Sequence, residues 1–368
     1  MPKNIVICCD GTGQEFGDRN TNVIKLYRTL QQDQSQIAYY HPGLGTIGAP
    51  NALSKLAQWW TKVLGLAFGY GLAANIGDAY AYLMENYEDG DRVYLFGFSR
   101  GAYTVRALAA MLHMYGLLPP GNEGLVRYIA RMFRGQNRQT FALAAKFKAT
   151  FSRPCQVHFL GVWDTVSSVG WIYNPVKLPY TTMNPDVSLV RHAVSVDERR
   201  AYFRQNLFGN SVDEQDVQQI WFAGSHSDIG GGYLEPQSGL SKITLEWMVQ
   251  EAAAAGLRIN PARKDRVLGA DNSKYAQPDP AAKLHNSLWE AFGLWWILEL
   301  WPKRYWDAST DPPSYRWRWP LGRPRYIAPG SLVHETVVKR MGSVPSYRPR
   351  NLPETYQEGS AGETAAAP

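Results

Sequence analysis

The pentapeptide Gly97-Phe98-Ser99-Arg100-Gly101 lies between an apolar run, Arg92-Val-Tyr-Leu-Phe96, and a helical stretch from Ala102 to Leu112. G-x-S-x-G in this setting predicts a sharp strand-to-helix turn with the serine at its apex. A serine hydroxyl is a weak nucleophile. It needs exposure on such a turn, a base beside it and backbone N–H groups to hold a developing oxyanion. The two glycines allow the chain to turn where a side chain would collide.

The rest of the chain supplies a matching scaffold. Lys3–Cys9 reads as a buried strand ending in the turn Asp10-Gly11-Thr12-Gly13, and Thr21–Gln32 has helical spacing. Gln36–Tyr40 reads as a second strand, Leu72–Tyr87 as a helix, Glu123–Phe151 as mostly helical, and Gln156–Val162 as a strand ending at Trp163-Asp164. Ile220–Ala223 is a short strand leading to Gly224-Ser-His-Ser-Asp-Ile-Gly-Gly-Gly232, followed by a helix over Leu240–Gly256. Ser331-Leu-Val-His334 is the last strand-like element. Strands alternating with helices predict an α/β fold with a mostly parallel central sheet covered on both faces. Residues 1–344 form one domain in this reading, with 259–330 an aromatic-rich insertion or lid and 345–368 an unstructured Pro-, Gly- and Ala-rich tail.

With 368 residues, 45% of them hydrophobic, the chain can bury one large core. Its charge of +6 is spread along the sequence with no dense basic tract, which argues against nucleic acid as a partner. Cys8, Cys9 and Cys155 have neither zinc spacing nor a disulfide framework. The glycine-rich segments match no phosphate-cradling pattern, so no cofactor, nucleotide or metal is expected. Met1–Val6 lacks an apolar leader and no run is long enough to span a membrane. The expected location is the cytoplasm, with any export running through a system that needs no signal peptide.

Hydrolases built on this turn present their residues in the order serine, acid, histidine. Of seven histidines, His334 arrives latest, after a strand-like segment, and is the first choice as base, with His226 the alternate. Asp228 is the first choice as acid and Asp164 the alternate, each just past a strand. His192 heads His-Ala-Val-Ser-Val-Asp-Glu-Arg-Arg200, read as a charged helix start. Backbone N–H groups of Gly11, Thr12 and Arg100 are the expected oxyanion hole. Asp-Gly-Thr after a first strand also fits haloacid-dehalogenase phosphatases, but the position two residues before Asp10 is Cys8, not the required nucleophilic aspartate. Two other readings stand beside the serine enzyme. One is a lipid- or partner-binding module without turnover, working through the Trp-rich stretch 288–306, the second of two aromatic stretches beside 58–68. The other is a metal hydrolase built on Asp164, His226 and Asp228.

Taken together, Cys9-Asp-Gly-Thr-Gly13, Ala79-Tyr-Ala-Tyr-Leu83, Phe96–Tyr103, Gly161–Val166, His192–Arg200, Trp221–Tyr233 and His334-Glu-Thr-Val resemble the DUF2235 family of the α/β-hydrolase superfamily. That family includes catalytic domains of phospholipase effectors of type VI secretion. The resemblance implies an α/β-hydrolase fold, a serine triad with Ser99 as nucleophile, and phospholipase A-like hydrolysis of carboxylic esters. It also implies a lipid or ester substrate, peripheral membrane contact, and a secretion-system or immunity protein as partner.

Overall fold

The computed structural model describes residues 2–11, 17–43, 72–134, 138–166, 170–171, 174–175, 178–209, 215–270, 274–307 and 314–359. Thr12, Gly13, the aromatic stretch 58–68 and the chain beyond 359 lie outside these residues.

Among these residues the core is an eight-stranded, all-parallel sheet. Its strands are β1 (Asn4–Cys9), β2 (Gln36–His41), β3 (Arg92–Phe98), β4 (Val157–Trp163), β7 (Val187–Ser195), β8 (Asp216–Phe222), β11 (Leu332–His334) and β12 (Gln357–Gly359). Two small antiparallel pairs lie outside it, β5 (Gly170–Trp171) with β6 (Asn174–Pro175) and β9 (Lys303–Asp307) with β10 (Ser314–Arg318). The order across the main sheet is β12-β11-β8-β7-β4-β3-β1-β2. The chain steps from β1 to β2 on one side, returns to β3 on the other, and then moves outward. The direction therefore reverses between β1 and β3, and the crevice at their C-terminal ends is where an open α/β sheet places a site. Asp10 and Gly11 follow β1 there, and Ser99 follows β3.

Side-chain alternation explains the burial. Ile5, Ile7, Cys9, Val93 and Leu95 face the helices Leu72–Asn86, Arg100–Tyr115, Glu123–Arg134 and Arg138–Phe151. Val6, Cys8, Tyr94, Phe96 and Phe98 face Asn22–Thr29, Gly239–Ala254 and Pro261–Val267. A sheet covered on both faces needs strands that are apolar at every position, and β1 is buried throughout.

Three expectations change. Val187–Ser195 is a central strand, not the approach to a helix at His192. It was hard to read because Arg191 and His192 are polar yet buried, Arg191 on Glu251 and Asp216 and His192 on Gln219. The segment from Pro345 to residue 359 is packed, not an unstructured tail. Tyr347 is buried with its hydroxyl on Asp197, Asn351 donates to the carbonyls of Val196 and Arg325, and β12 adds to the sheet edge. The region after 259 begins inside the core, where Ile259 bridges Leu30 and Val267 and Leu268 join the face formed by Val6 and Phe96.

Candidate active site

Ser99 sits at the apex of the β3-to-helix turn with φ 58° and ψ −117°, a conformation that side chains avoid. The surrounding glycines enforce it. A Cβ on Gly97 would lie 2.5 Å from the Gly101 carbonyl oxygen, and one on Gly101 would lie 2.1 Å from that of Cys9. The turn can therefore press against the end of β1 only with glycine at both positions.

His226 Nε2 lies 2.8 Å from Ser99 Oγ, and His226 Nδ1 lies 2.5 Å from Asp164 Oδ2. His226 is the first residue of a short helix, His226–Gly230, that follows β8. Its ring lies between Phe98 and Phe203, with centroids 4.6 and 4.8 Å away. Its backbone N–H donates to Glu198, a buried carboxylate paired with Arg200. Gly230 lets this helix approach, because a Cβ there would fall 2.0 Å from Phe98 Cδ2.

Asp164 ends β4 and is fully buried. Its Oδ1 accepts from the Ser195 N–H at 3.0 Å and from Arg325 Nη1 at 2.5 Å, while Oδ2 takes Arg325 Nη2 at 3.0 Å. Burial alone would raise the Asp164 carboxyl. The Arg325 guanidinium and the His226 hydrogen bond outweigh that and hold it well below the usual carboxylate range. With Asp164 ionised, Nδ1 of His226 carries the proton and Nε2 is the acceptor. Burial pushes His226 below its ordinary value, opposed by Asp164 and Glu198, so the neutral ring is favoured. For Glu198, Arg200 overcomes the burial penalty and lowers its carboxyl to about 2.

The first choices for acid and base do not reach Ser99. His334 ends β11, four ladder steps from β3, about 19 Å at ~4.8 Å per step. Its ring stacks on Phe222 and its Nδ1 bonds the Thr336 hydroxyl, capping the Glu335–Ser343 helix. Asp228 serves its own helix as a capping-box carboxylate, accepting from the Ser225 N–H and hydroxyl. Its other oxygen binds His285 Nδ1 at 2.7 Å. The alternates Asp164 and His226 are the pair brought to the serine. The metal reading loses its convergence, since Asp228 turns to His285 and Asp164 is covered by a guanidinium. Among the described residues no three His, Cys, Asp or Glu side chains are grouped to hold a metal.

The Gly11 backbone N–H is already donated to Asp10 Oδ1 at 2.8 Å, which removes it as an oxyanion donor. Gly11 instead packs on the serine, where a Cβ would lie 3.4 Å from Ser99 Cβ. Asp10 is held by Thr21 and Tyr40 as well, and burial, partly offset by these bonds, raises its carboxyl to about 6. Arg100 opens the helix Arg100–Tyr115, whose first-turn N–H groups project toward the serine end.

Sequence reasoning missed Arg325, Glu198 and Phe203. The charged cluster of Glu198 and Arg200 was visible as a motif, but nothing marked it as buried. Arg325 is one of several arginines in an Arg/Trp-rich stretch and carried no local signal.

The family described as "T6SS, Phospholipase effector Tle1-like, catalytic domain" matches residues 3–251. The uncharacterized protein YEL023C of Saccharomyces cerevisiae is 26% identical over 97% of this chain and 81% of its own length. Two solved structures align more distantly. A crystal structure of an uncharacterized Pseudomonas aeruginosa protein has TM-score 0.43 and 18% identity, covering 79% of this chain and 48% of that one, so this chain spans about half its length. The Tle1 effector bound to the VgrG spike of a type VI secretion system has TM-score 0.43 and 16% identity over 88% of this chain and 92% of that one.

Proposed function

Because the chain belongs to the Tle1-like phospholipase effector family through its catalytic domain, we propose that it is a serine hydrolase of carboxylic esters, with phospholipid acyl esters as substrate. The observation that carries this reading is the continuous line from Ser99 Oγ through His226 to Asp164, at 2.8 and 2.5 Å, on a strained strand-to-helix turn.

In this mechanism His226 Nε2 takes the Ser99 proton as Oγ attacks the acyl carbonyl carbon. Asp164 stabilises the imidazolium that forms and fixes the ring's orientation. The backbone N–H of Arg100 is the donor to the oxyanion. Collapse of the tetrahedral adduct breaks the ester bond, and His226 returns its proton to the departing alcohol oxygen, leaving an acyl-Ser99. A water then attacks that acyl carbon, with His226 again as base, and releases the fatty acid.

The surface near the site suits a lipid interface. Trp295 packs on Phe203, which covers His226, and beyond it Trp289, Ile297, Leu300, Trp301, Trp317 and Trp319 are each roughly half exposed or more. Tryptophan beside arginine is the composition of interfacial contacts, and peripheral membrane binding follows from it. Among the described residues no helix is long and apolar enough to cross a membrane. A spike-type secretion partner or an immunity protein, and export without a signal peptide, extend the reading by analogy with the spike-bound effector.

Ser99→Ala tested against short esters and phospholipid vesicles decides the reading. Loss of turnover on every substrate, together with loss of fluorophosphonate labelling, is expected. Turnover that survives the change would overturn it.

A further inference from the structure

Asp10 takes no part in the Ser99–His226–Asp164 line, yet it follows β1 at the same end of the sheet as Ser99 and is buried. Its carboxylate accepts three hydrogen bonds, from the Gly11 N–H at 2.8 Å, the Thr21 hydroxyl at 2.5 Å and the Tyr40 hydroxyl at 3.0 Å. Burial raises the group to about 6, partly offset by these bonds, so at neutral pH it is ionised and can accept all three. A buried carboxylate is costly unless its oxygens are satisfied. Here the donors come from three places: the turn after β1, the N-cap of the Asn22–Thr29 helix, and β2.

Two of these bonds lead to the reacting pair. The Gly11 bond fixes the peptide on which the nucleophile rests. A Cβ on Gly11 would lie 3.4 Å from Ser99 Cβ, and one on Gly101 would lie 2.7 Å from the Asp10 carbonyl carbon. From the other side, a Cβ on Gly43 would lie 2.3 Å from the Asp10 carbonyl oxygen. The Asp10–Gly11 backbone is thus clamped between the Ser99 turn and the chain leaving β2. The Thr21 bond leads to the base. Thr21 forms an antiparallel bridge with Gly231, which closes the His226–Gly230 helix, and Asn22 Nδ2 donates to the Ile229 carbonyl at 2.9 Å. Gly231, at φ 81°, comes so near that a Cβ there would fall 2.9 Å from Thr21 Cα. One carboxylate therefore joins the peptide under Ser99 to the segment that seats the helix bearing His226. It does so from the opposite side of β3 to Asp164.

We propose that Asp10 is a positioning residue for hydrolysis, holding Ser99 and His226 in register through Gly11 and Thr21. The inference rests on the serine-hydrolase reading.

The test measures kcat and KM on a soluble short ester, and the melting temperature, for the full chain. Asp10→Asn keeps the shape but places an amide nitrogen where an oxygen now accepts. It should lower kcat on the order of 10²-fold, the scale of a misplaced catalytic group, with KM within about twofold. Thr21→Val removes the hydroxyl at similar volume and should lower kcat about tenfold. Thr21→Ser keeps the hydroxyl and should recover most of that rate, so this pair reads the link even if Asp10→Asn folds poorly. Asp91→Asn is the control. Asp91 is also buried and accepts from Lys3 and from the Glu88 N–H, but it lies at the opposite end of β3. Its change should lower the melting temperature and leave kcat at the parent level. An active parent silenced by Ser99→Ala, with Asp10→Asn and Thr21→Val at the parent kcat or no lower than Asp91→Asn, overturns this proposal alone. A Ser99→Ala protein as active as the parent overturns the hydrolase reading and this proposal with it.

Discussion

Arg325 places Nη1 2.5 Å from Oδ1 and Nη2 3.0 Å from Oδ2 of Asp164, across 161 residues of sequence. Its Nη2 also donates to the Phe203 carbonyl, so one side chain ties the carboxylate to the ring segment that covers His226. Arg325 acts through Asp164 and is a positioning residue. Arg325→Met should lower kcat on the order of 10²-fold, the scale of a misplaced catalytic group. It should also move the acid limb of the pH profile upward, because His226 would then be the one cation partner of Asp164, beside the neutral Ser195 N–H. Arg325→Lys should restore part of the rate. An unmoved pH profile would reduce Arg325 to a structural role.

The two sets of acid and base separate by mutation. His226→Ala should lower kcat/KM by about 10³-fold or more, as removal of a triad member does. His334→Ala, which loses a stack on Phe222 and a helix cap, should leave turnover near the parent level while lowering the melting temperature. The same assay with Asp164→Asn and Asp228→Asn should divide in the same way. A His334 variant as inactive as the His226 variant would refute this assignment.

The base must be neutral to accept the serine proton. Burial lowers His226 from its ordinary 6.5, so the neutral form persists below that pH. The rate should therefore hold steady from neutral pH down past 6.5 and fall only at lower values as His226 gains a proton. A kcat/KM profile on a soluble ester reads this directly. An acid limb centred above 6.5 would contradict the burial argument.

Gly230→Ala probes the contact that brings the base into place. Its new Cβ would fall on the Phe98 ring. The cost should be about 1–3 kcal/mol in stability, typical of an overpacked core. Activity should fall further than stability implies, because Phe98 flanks His226. Thermal unfolding and turnover measured on the same preparation separate the two effects.

The exposed tryptophans give a prediction confined to interfaces. Trp289→Ala/Trp301→Ala should reduce vesicle binding and phospholipid turnover about tenfold, with hydrolysis of a short soluble ester unchanged. Equal loss on both substrates would move these residues into the site itself.

The sequence by itself determined the setting of Ser99. An apolar strand, two glycines and a helix are local features, and their sterics specify the turn at Ser99 wherever the chain goes next. Strand–helix alternation likewise determined the parallel sheet, because residue periodicity is also local. Partner choice was different. Chain order put Asp228 and His334 first, with Asp164 and His226 as alternates, and nothing local showed which of these side chains meets Ser99. In the tertiary structure, strand order brings Asp164 to Ser99 and keeps His334 away. β4 lies beside β3, so Asp164 ends next to Ser99, whereas β11 stands four strands away. His226 starts from a distant strand, but its short helix folds back over Phe98 through Gly230, a contact between residues far apart in sequence. Arg325 was illegible for the same reason. A buried guanidinium and an exposed one have the same letter, and only the folded chain shows which carboxylate it meets.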